Sequence, residues 1–295
     1  MSGVDLSPVE AGPIAKRPAW SKLRRRLGPP GLAALAAIGG LGLMALLAPV
    51  LPVAAPTDVD LTSTFAPPSA GHPLGTDSNG RDILARLVWG SRTALLGPLI
   101  VTVVATAVGV LLAVVAAWRG GWFDGVISRV FDLLFGFPGI LLALVVAAVV
   151  GAGFGAAVAA LSVAFIPHIG RVTRGGALQQ LRLPYVAALR VLGQSPAAIG
   201  GRHLLPNLGA IIVAQATITF GYALVDLAAL SYLGLGVDQA TPDWGGIVAA
   251  GQADILSGHP QQSLYAGVLI VIAVAALAIV AERLAGRART WRRLR

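Results

Sequence analysis

The residues with which this sequence could catalyse a reaction or hold a metal are few and widely separated. There is no cysteine, so disulfides, thiolate metal sites and cysteine nucleophiles are absent. No G-x-x-x-x-G-K-[ST] phosphate-binding loop occurs, nor an H-E-x-x-H or G-x-S-x-G motif. The four histidines have no ligand spacing: His72, His168, His203 and His259. We therefore expect no catalytic residue, no metal site and no cofactor bound by this chain.

The composition indicates a protein that crosses a membrane several times. Of its 295 residues, 56% are hydrophobic and only 12% are charged. Apolar stretches of about 20 residues are long enough to span a bilayer as helices. We expect an all-α protein with six transmembrane helices, near residues 31–51, 93–118, 126–150, 154–169, 208–234 and 264–281. The hairpin between the third and fourth is marked by Gly151, Gly153 and Gly155.

Basic residues predict the orientation of these helices. With six spans and a cytoplasmic N-terminus, 19 of the 22 lysines and arginines lie inside or at the inner boundary. The exceptions are Arg81, Arg86 and Arg92. The net charge of +9 thus follows from membrane orientation, and nucleic acid is not expected as a partner. The chain divides into a basic cytoplasmic tail, a first helix, an extracytoplasmic loop with an amphipathic helix, a core of five spans and a basic tail: residues 1–30, 31–52, 53–91, 92–284 and 285–295.

Asp226 is the one charged residue in the apolar stretch between residues 208 and 234. A carboxylate at membrane depth is a candidate functional group, because its burial in hydrocarbon is costly. Asp226 and the nearby Tyr232 are therefore candidates for the lining or the gate of a transport pathway. Two other interpretations stay open for Asp226: a position near the helix end that reaches water, or pairing with a neighbouring helix.

Residues 185–207 predict two short helices joined by a sharp bend. Tyr185–Leu192 carries its apolar residues at helical spacing. Gly193 follows where a helix commonly ends in a left-handed residue. Ser195 can then cap a second helix that has Pro196 as its first residue. We call this segment the 185–207 bend.

The second helix of the bend is expected to run to about Leu205 and to end at Pro206, because proline has no amide donor. Asn207 would then cap a long apolar helix. A helix–glycine–helix shape between two spans is suited to docking in a groove of a partner protein. An ordinary solvated connector is the alternative interpretation.

A polar segment with several potential capping residues precedes the second span. Residues 72–82 read HPLGTDSNGRD and follow an extended loop rich in Pro, Ser and Thr. We expect Asp77 or Ser78 to cap a short interfacial helix. The apolar stripe of that helix would consist of Ile83, Leu84, Leu87 and Val88.

Both segments resemble C-type permeases of the dipeptide and oligopeptide family of ABC importers, which also includes nickel transporters. The 185–207 bend resembles the EAA loop of these proteins: Gly193 and Leu205-Pro206 match, whereas Ala187 replaces the glutamate. The segment before the second span resembles the family pattern GTD, two residues, GRD. The matching residues are Gly75, Thr76, Asp77, Gly80, Arg81 and Asp82; we call them the outer motif.

The resemblance implies a type I ABC-importer permease fold and an ATPase-coupling loop at about residues 174–207. The residues implied in coupling are Tyr185, Ala187, Ala188, Leu189, Gly193, Ser195, Pro196, Arg202, Leu205 and Pro206. The implied partners are a homologous permease subunit, two cytoplasmic ATPase subunits that bind ATP and Mg, and an extracytoplasmic substrate-binding protein. The implied location is the bacterial cytoplasmic membrane with both termini inside, and the implied cargo is a dipeptide or oligopeptide moved by alternating access.

Three other functions stay open at the level of sequence. A permease of the same family could import nickel or another small ligand. An ion-coupled secondary transporter is a further alternative, although the sequence has no evident internal repeat and offers only Asp226 as an intramembrane charge. A membrane anchor or assembly factor without a transport pathway is the third.

Overall fold

The computed structural model describes residues 19–51, 55–238 and 240–290, and these ranges are mostly helical. The only β pairing within them is an isolated bridge between Thr76 and Asp82. The ends of both predicted tails, 1–18 and 291–295, lie outside the described residues. Apart from a 3₁₀ turn at Leu61–Ser63, these ranges contain ten helices in chain order: α1 Ala19–Leu47, α2 Ile83–Arg119, α3 Gly121–Phe135, α4 Gly139–Val150, α5 Phe154–Leu181, α6 Pro184–Val191, α7 Pro196–Tyr232, α8 Trp244–Ala250, α9 Gln252–Leu256 and α10 Gln261–Thr290.

Five of these helices are long and apolar enough to cross a membrane: Leu27–Leu47 within α1, then α2, α5, α7 and Gln261–Leu284 within α10. A sixth candidate consists of α3 and α4 together, which are bent by 83° relative to each other. The prediction of one continuous helix over residues 126–150 was therefore wrong. Pro138 accounts for the break, since it has no amide donor and disfavours a helical conformation in the residue before it.

α2 begins earlier than the sequence predicted. Its first turns, from Ile83, are the expected amphipathic helix, but they continue into the membrane span without interruption. Asp82 caps α2, because its carboxylate accepts a hydrogen bond from the Ala85 amide at 2.6 Å. The prediction that Asp77 or Ser78 would cap this helix was therefore wrong.

The core lies where α2, α5 and α7 meet, and small residues allow these helices to approach closely. At Gly109 of α2 a Cβ atom would lie only 2.8 Å from the Ile166 carbonyl oxygen of α5. α1 packs outside this core, against α10 and α2. The buried core residues include Val101, Ala105, Ala143, Ala157, Leu161, Phe165, Ala223 and Leu227.

The predicted glycine hairpin between α4 and α5 is confirmed. Gly151 and Gly153 have φ values of 103° and 156°, which other residues rarely adopt. α5 extends to Leu181, well past the predicted end of its apolar stretch near residue 169, because polar residues continue the helix. The region after α7 contains the short helices α8 and α9.

Candidate functional site

α6 ends in the left-handed glycine that its sequence predicts. Gly193 has a φ of 73°. The Gly193 amide donates to the Arg190 carbonyl at 3.0 Å, and the Gln194 amide donates to the Leu189 carbonyl at 3.1 Å. These two bonds form a Schellman motif, which requires a left-handed residue at this position. A Cβ atom on Gly193 would meet nothing within 4 Å, so the constraint is on the backbone conformation alone.

Beyond Gly193 the predicted cap is present, but the predicted helix end is not. The Ser195 hydroxyl accepts a hydrogen bond from the Ala198 amide at 3.3 Å, and Pro196 is the first residue of α7. α7 does not end at Pro206 and continues to Tyr232. The prediction of a short second helix was therefore wrong, and the bend leads directly into a membrane-length helix.

A π-helical stretch, Ile199–Leu204, explains why Pro206 is tolerated inside α7. The Leu205 amide donates to the Gly200 carbonyl, five residues back rather than four. In a regular α-helix the proline ring would press on the carbonyl four residues before it, and the wider π turn makes room for the ring. Asn207 consequently lies inside α7 and does not cap it, contrary to the prediction.

The 185–207 bend is fastened to the neighbouring helices on its buried side. Val186 of α6 and Leu204 of α7 are fully buried. The Tyr185 hydroxyl donates to Gln180 Oε1 of α5 at 3.0 Å. The Asn207 Nδ2 atom donates to the Tyr185 hydroxyl at 3.4 Å. α6 is therefore attached to the helices on both sides of it in the chain.

A further attachment joins α6 to α2. The Arg190 guanidinium carbon lies 5.0 Å from the centre of the Trp118 ring, which is within the range of a cation–π attraction. Nearby, Arg174 of α5 forms a two-point ion pair with Asp124 of α3, with Nε–Oδ1 and Nη2–Oδ2 distances of 2.6 and 2.5 Å. The ends of α2, α3, α5 and α6 on this side of the molecule are thus linked by side-chain contacts.

The outer side of the bend is exposed and largely apolar. Val191 and Leu192 are 88% and 75% exposed, and Ala187 and Ala188 are exposed beside them. Arg190 is the only charged residue of α6. Adjacent exposed apolar side chains of this kind are suited to a protein contact. The remaining residues of the predicted coupling set are exposed or half-buried: Leu189, Arg202, Leu205 and Pro206.

At the other end of α2, the outer motif folds around the buried carboxylate of Asp77. Oδ1 accepts hydrogen bonds from the amides of Asn79 and Arg81 at 2.8 and 2.9 Å. Oδ2 accepts from Arg81 Nε at 2.9 Å and lies 3.6 Å from Arg86 Nη1. Asp77 and Arg86 are both almost fully buried, and Asp77 is the counter-charge of Arg86, whereas Asp77 also pairs with Arg81. This role explains why Asp77 is not available to cap a helix.

The two glycines of the outer motif allow close backbone packing. Gly75 and Gly80 have φ values of 79° and 71°. A Cβ atom on Gly75 would lie 2.6 Å from the Ala66 carbonyl oxygen, and one on Gly80 would overlap the Asp60 carbonyl oxygen. Thr76 Oγ1 accepts a hydrogen bond from the Ala66 amide at 2.8 Å. The outer motif thereby holds the preceding loop against the start of α2.

Asp82 and Trp244 extend this packing to the neighbouring segments. One Asp82 oxygen caps α2 and the other lies 2.9 Å from His72 Nδ1. The buried Trp244 of α8 donates from Nε1 to the Leu87 carbonyl at 3.0 Å. The preceding Asp243 caps α8; burial raises the pKa of its carboxyl, and hydrogen bonds from a serine hydroxyl and the first amides of α8 oppose that rise.

The two predicted pathway residues lie on α7 but do not come together. Asp226 is half-buried, and its Oδ2 atom lies 3.5 Å from where a Cβ on Gly139 would stand, so it faces the first residue of α4. The Tyr232 hydroxyl donates instead to Gln252 Oε1 of α9 at 2.8 Å. Among the residues that the structure describes, no group of three or more His, Asp or Glu could hold a metal ion.

A cluster at the end of α3 was not found from the sequence. The Phe135 ring stacks on His168 of α5 with a centroid distance of 4.4 Å, and the Arg171 guanidinium carbon lies 4.4 Å from the Phe135 ring centre. Arg171 also pairs with Asp132 of α3. These contacts hold α3 on α5 just before the break. The Gly-Phe-Pro sequence at 136–138 is the only local signal of the break.

Comparison with known proteins places this arrangement in a transport family. A family model described as "Binding-protein-dependent transport system inner membrane component" matches residues 109–290, more than half of the chain. The chain belongs to this family. The permease is 35% identical to a peptide transport system permease protein of Brucella suis over 78% of its own length and 77% of that protein. It is 39% identical to the dipeptide permease DppC of Escherichia coli K12 (64% and 65% covered) and 34% identical to the di/tripeptide permease DppC of Pseudomonas aeruginosa (72% and 69%).

The solved structures support the fold of the permease. A chain of the methionine ABC transporter MetNI, solved in inward-facing conformations, matches with a TM-score of 0.57 at 22% identity. The match covers 68% of the permease and 95% of that chain. At this identity the likeness shows the fold alone. The predicted type I ABC-importer permease fold and the predicted resemblance to ABC-importer permeases are thus confirmed, while the roles of individual residues stay predictions.

Proposed function

We propose that this permease is the membrane subunit through which an ATP-driven importer moves dipeptides or oligopeptides across the bacterial cytoplasmic membrane. The relatives from Escherichia coli and Pseudomonas aeruginosa are named as dipeptide and di/tripeptide permeases, and the Brucella suis relative as a peptide permease. The outer motif adds a second, local resemblance to the same branch. Peptide is therefore the cargo that we favour over nickel or another small ligand.

The assembly that we propose contains a homologous second permease, two cytoplasmic ATPase subunits and an extracytoplasmic substrate-binding protein. ATP and Mg would bind to the ATPases, since this sequence has no phosphate-binding loop. Both termini and the 185–207 bend would face the cytoplasm. The distribution of arginines supports this orientation, because the helix ends on the side of the bend carry Arg119, Arg171, Arg174, Arg190 and Arg202.

The observation that carries the coupling proposal is the continuity of α7, which starts in the bend and runs for 37 residues. In our proposal, the exposed apolar side of α6 sits in a groove of an ATPase and follows its movement when ATP binds. Gly193 keeps α6 at a fixed angle to α7, so α7 tilts with it. The ATPase can shift the equilibrium between two permease conformations only if it binds them with different affinity.

The contact between Arg190 and Trp118 provides a second route for the same movement. Through it, α2 would be drawn along with α6, and the Asp124–Arg174 pair would carry α3 and α5 with them. Asp226 faces the start of α4, where a shift of α7 against the broken pair α3–α4 would open or close a path. We therefore propose Asp226 as a gate residue, and assign Tyr232 the role of tying α7 to α9.

Reconstitution with the other subunits tests this function. The permease is co-expressed with the other subunits proposed above, purified by a tag on the permease alone, and placed in proteoliposomes. We expect ATPase subunits to co-purify and labelled dialanine, but not Ni²⁺, to accumulate when ATP is supplied on the side of the bend. A purified assembly without an ATP-hydrolysing chain, or uptake of Ni²⁺ in place of peptide, would contradict the proposal.

A further inference from the structure

An open groove of about 650 Å³ lies between α1, α2, α7 and α10. Its walls are apolar apart from Arg92, Thr102 and Thr217, and they include Leu41 of α1 and Phe220 of α7. The volume is in the range of small-molecule sites, roughly 300–1,000 Å³. The groove lies between membrane-length helices and its walls are apolar. A long apolar ligand therefore matches it best.

Arg92 gives one end of this groove a positive charge. It is the only charged residue of the lining, and it is exposed. Among the residues that the structure describes, no carboxylate pairs with it. Its guanidinium carbon lies 5.5 Å from the centre of the Trp89 ring. The groove therefore combines apolar walls with an unneutralised cation at its end.

The position of Arg92 along α2 puts this charge at the level of lipid headgroups. Arg92 and Arg119 are 27 positions apart on one helix, which corresponds to roughly 40 Å at about 1.5 Å per residue. A bilayer measures about 30 Å across its hydrocarbon core and about 40–45 Å with its interfaces. The two arginines thus reach opposite interfaces, where Trp89 and Trp118 also fit the usual aromatic belts.

We propose that this groove binds an anionic phospholipid, with an acyl chain between α1 and α7 and the phosphate on Arg92. The apolar walls match an acyl chain, and the guanidinium of Arg92 matches the phosphate. Arg92 also lies at the membrane depth of a headgroup, so both parts of one lipid can bind together. The bound lipid would separate α1 from α7. An effect of the bound lipid on transport rests on the proposed coupling function. The binding of the lipid does not depend on that function.

The headgroup part of the proposal is tested on the purified complex in nanodiscs made of equal amounts of phosphatidylglycerol and phosphatidylcholine. Native mass spectrometry after release counts the lipids that stay bound. We expect wild type to retain phosphatidylglycerol preferentially. In Arg92→Gln the ratio of retained phosphatidylglycerol to phosphatidylcholine should fall about five-fold, since one basic residue near an anionic surface contributes about 1 kcal/mol. Arg92→Lys, which keeps the charge, should retain most of it. Equal retention of both lipids by wild type would overturn the proposal.

The groove itself is tested with a matched pair of glycines on α1. A Cβ atom at Gly40 or at Gly42 meets nothing within 4 Å, but only Gly42 lines the groove. Gly42→Phe should therefore expel the lipid, and Gly40→Phe should not. Unchanged lipid retention in Gly42→Phe, or a cross-link that places a helix of the second permease in the groove, would refute the site. Peptide uptake by the same samples reports separately on the proposed function.

Discussion

Gly193 and Asp77 are constrained by different physical causes. Gly193 is exposed and has free space around it, so only its backbone conformation limits what can replace it. Asp77 is buried; its carboxylate accepts hydrogen bonds from Arg81 and forms a longer ion pair with Arg86. A substitution at Gly193 should therefore alter the angle of the bend, and one at Asp77 should alter stability.

Replacing Gly193 with valine should uncouple ATP hydrolysis from peptide uptake. A left-handed conformation costs an L-residue about 1–2 kcal/mol, and a β-branched side chain makes it less favourable still. We expect normal membrane insertion and assembly, near-normal ATPase activity of the complex, and uptake reduced by at least about five-fold. The measurement is the ratio of peptide transported to ATP hydrolysed in proteoliposomes.

The control for this variant is Gly175→Val in α5, where a Cβ atom also meets nothing within 4 Å but φ is not positive. Gly193→Asn should lie between wild type and Gly193→Val, because asparagine tolerates the left-handed region better than other residues. Unimpaired uptake in Gly193→Val would show that the bend does not depend on this conformation.

Asp77→Asn should destabilise the permease by about 3 kcal/mol, because it leaves the buried Arg86 without its counter-charge. The check is the thermal unfolding midpoint of the detergent-solubilised protein. Asp58→Asn, at an exposed carboxylate of the same loop, should leave the midpoint unchanged. The double variant Asp77→Asn, Arg86→Leu should recover part of the loss; a double variant less stable than the single one would mean that the two charges do not act as a pair.

Among the helices, α7 illustrates how far local sequence signals reach. Gly193, Ser195 and Pro196 were predicted in their observed roles because a left-handed glycine and a helix cap depend on a few adjacent residues. Pro206 was misjudged, since the π-helical stretch that accommodates it has no comparable sequence signal. The same pattern of residues is compatible with a helix end and with a widened turn.

In α2 and in the α3–α4 pair, tertiary contacts determine the local structure: the residue that caps α2 and the angle between α3 and α4. Asp77 and Asp82 are equally good capping residues by type, and Asp82 caps α2 because the backbone at Gly80 packs under Asp60 and directs Asp77 inward. The break before Pro138 had a visible signal, but its angle depends on contacts with α5 and α7. Family, helical class and the glycine hairpin were predictable from the sequence; these contacts were not.

The contact between α6 and α2 leads to a prediction about coupling. Arg190→Leu removes the cation over Trp118, an attraction worth about 0.5–1 kcal/mol at an exposed site. We expect peptide transport per ATP to fall by roughly two- to five-fold with unchanged stability. Arg190→Lys should preserve most of the transport per ATP, and Arg182→Leu, at an exposed arginine after α5, should have no effect on it. If Trp118→Leu and Arg190→Leu have additive rather than shared effects, the two residues do not act together.

For the molecule as a whole, the absence of native cysteine makes the proposed orientation directly measurable. Val191 and Leu256 are 88% and 92% exposed and lie at opposite ends of the helical core. We expect Leu256→Cys to react with a membrane-impermeant maleimide in intact cells. In cells that express the permease without its ATPases, Val191→Cys should react only after permeabilisation. Labelling of Val191→Cys from outside would exclude contact between the bend and a cytoplasmic ATPase.

The unbroken course of α7 has one more consequence, which concerns signals that travel in the reverse direction. Tyr232 near its far end is hydrogen-bonded to Gln252, so α7 joins α9 on one side of the membrane to α6 on the other. Energetic coupling between two sites is reciprocal: if an event at one end changes affinity at the other by some factor, the converse holds by the same factor. A protein that docks beside α9 would therefore change the affinity of the ATPase for α6 at the opposite end. The permease would then transmit the binding of a substrate-carrying protein to the ATPase, in addition to responding to ATP.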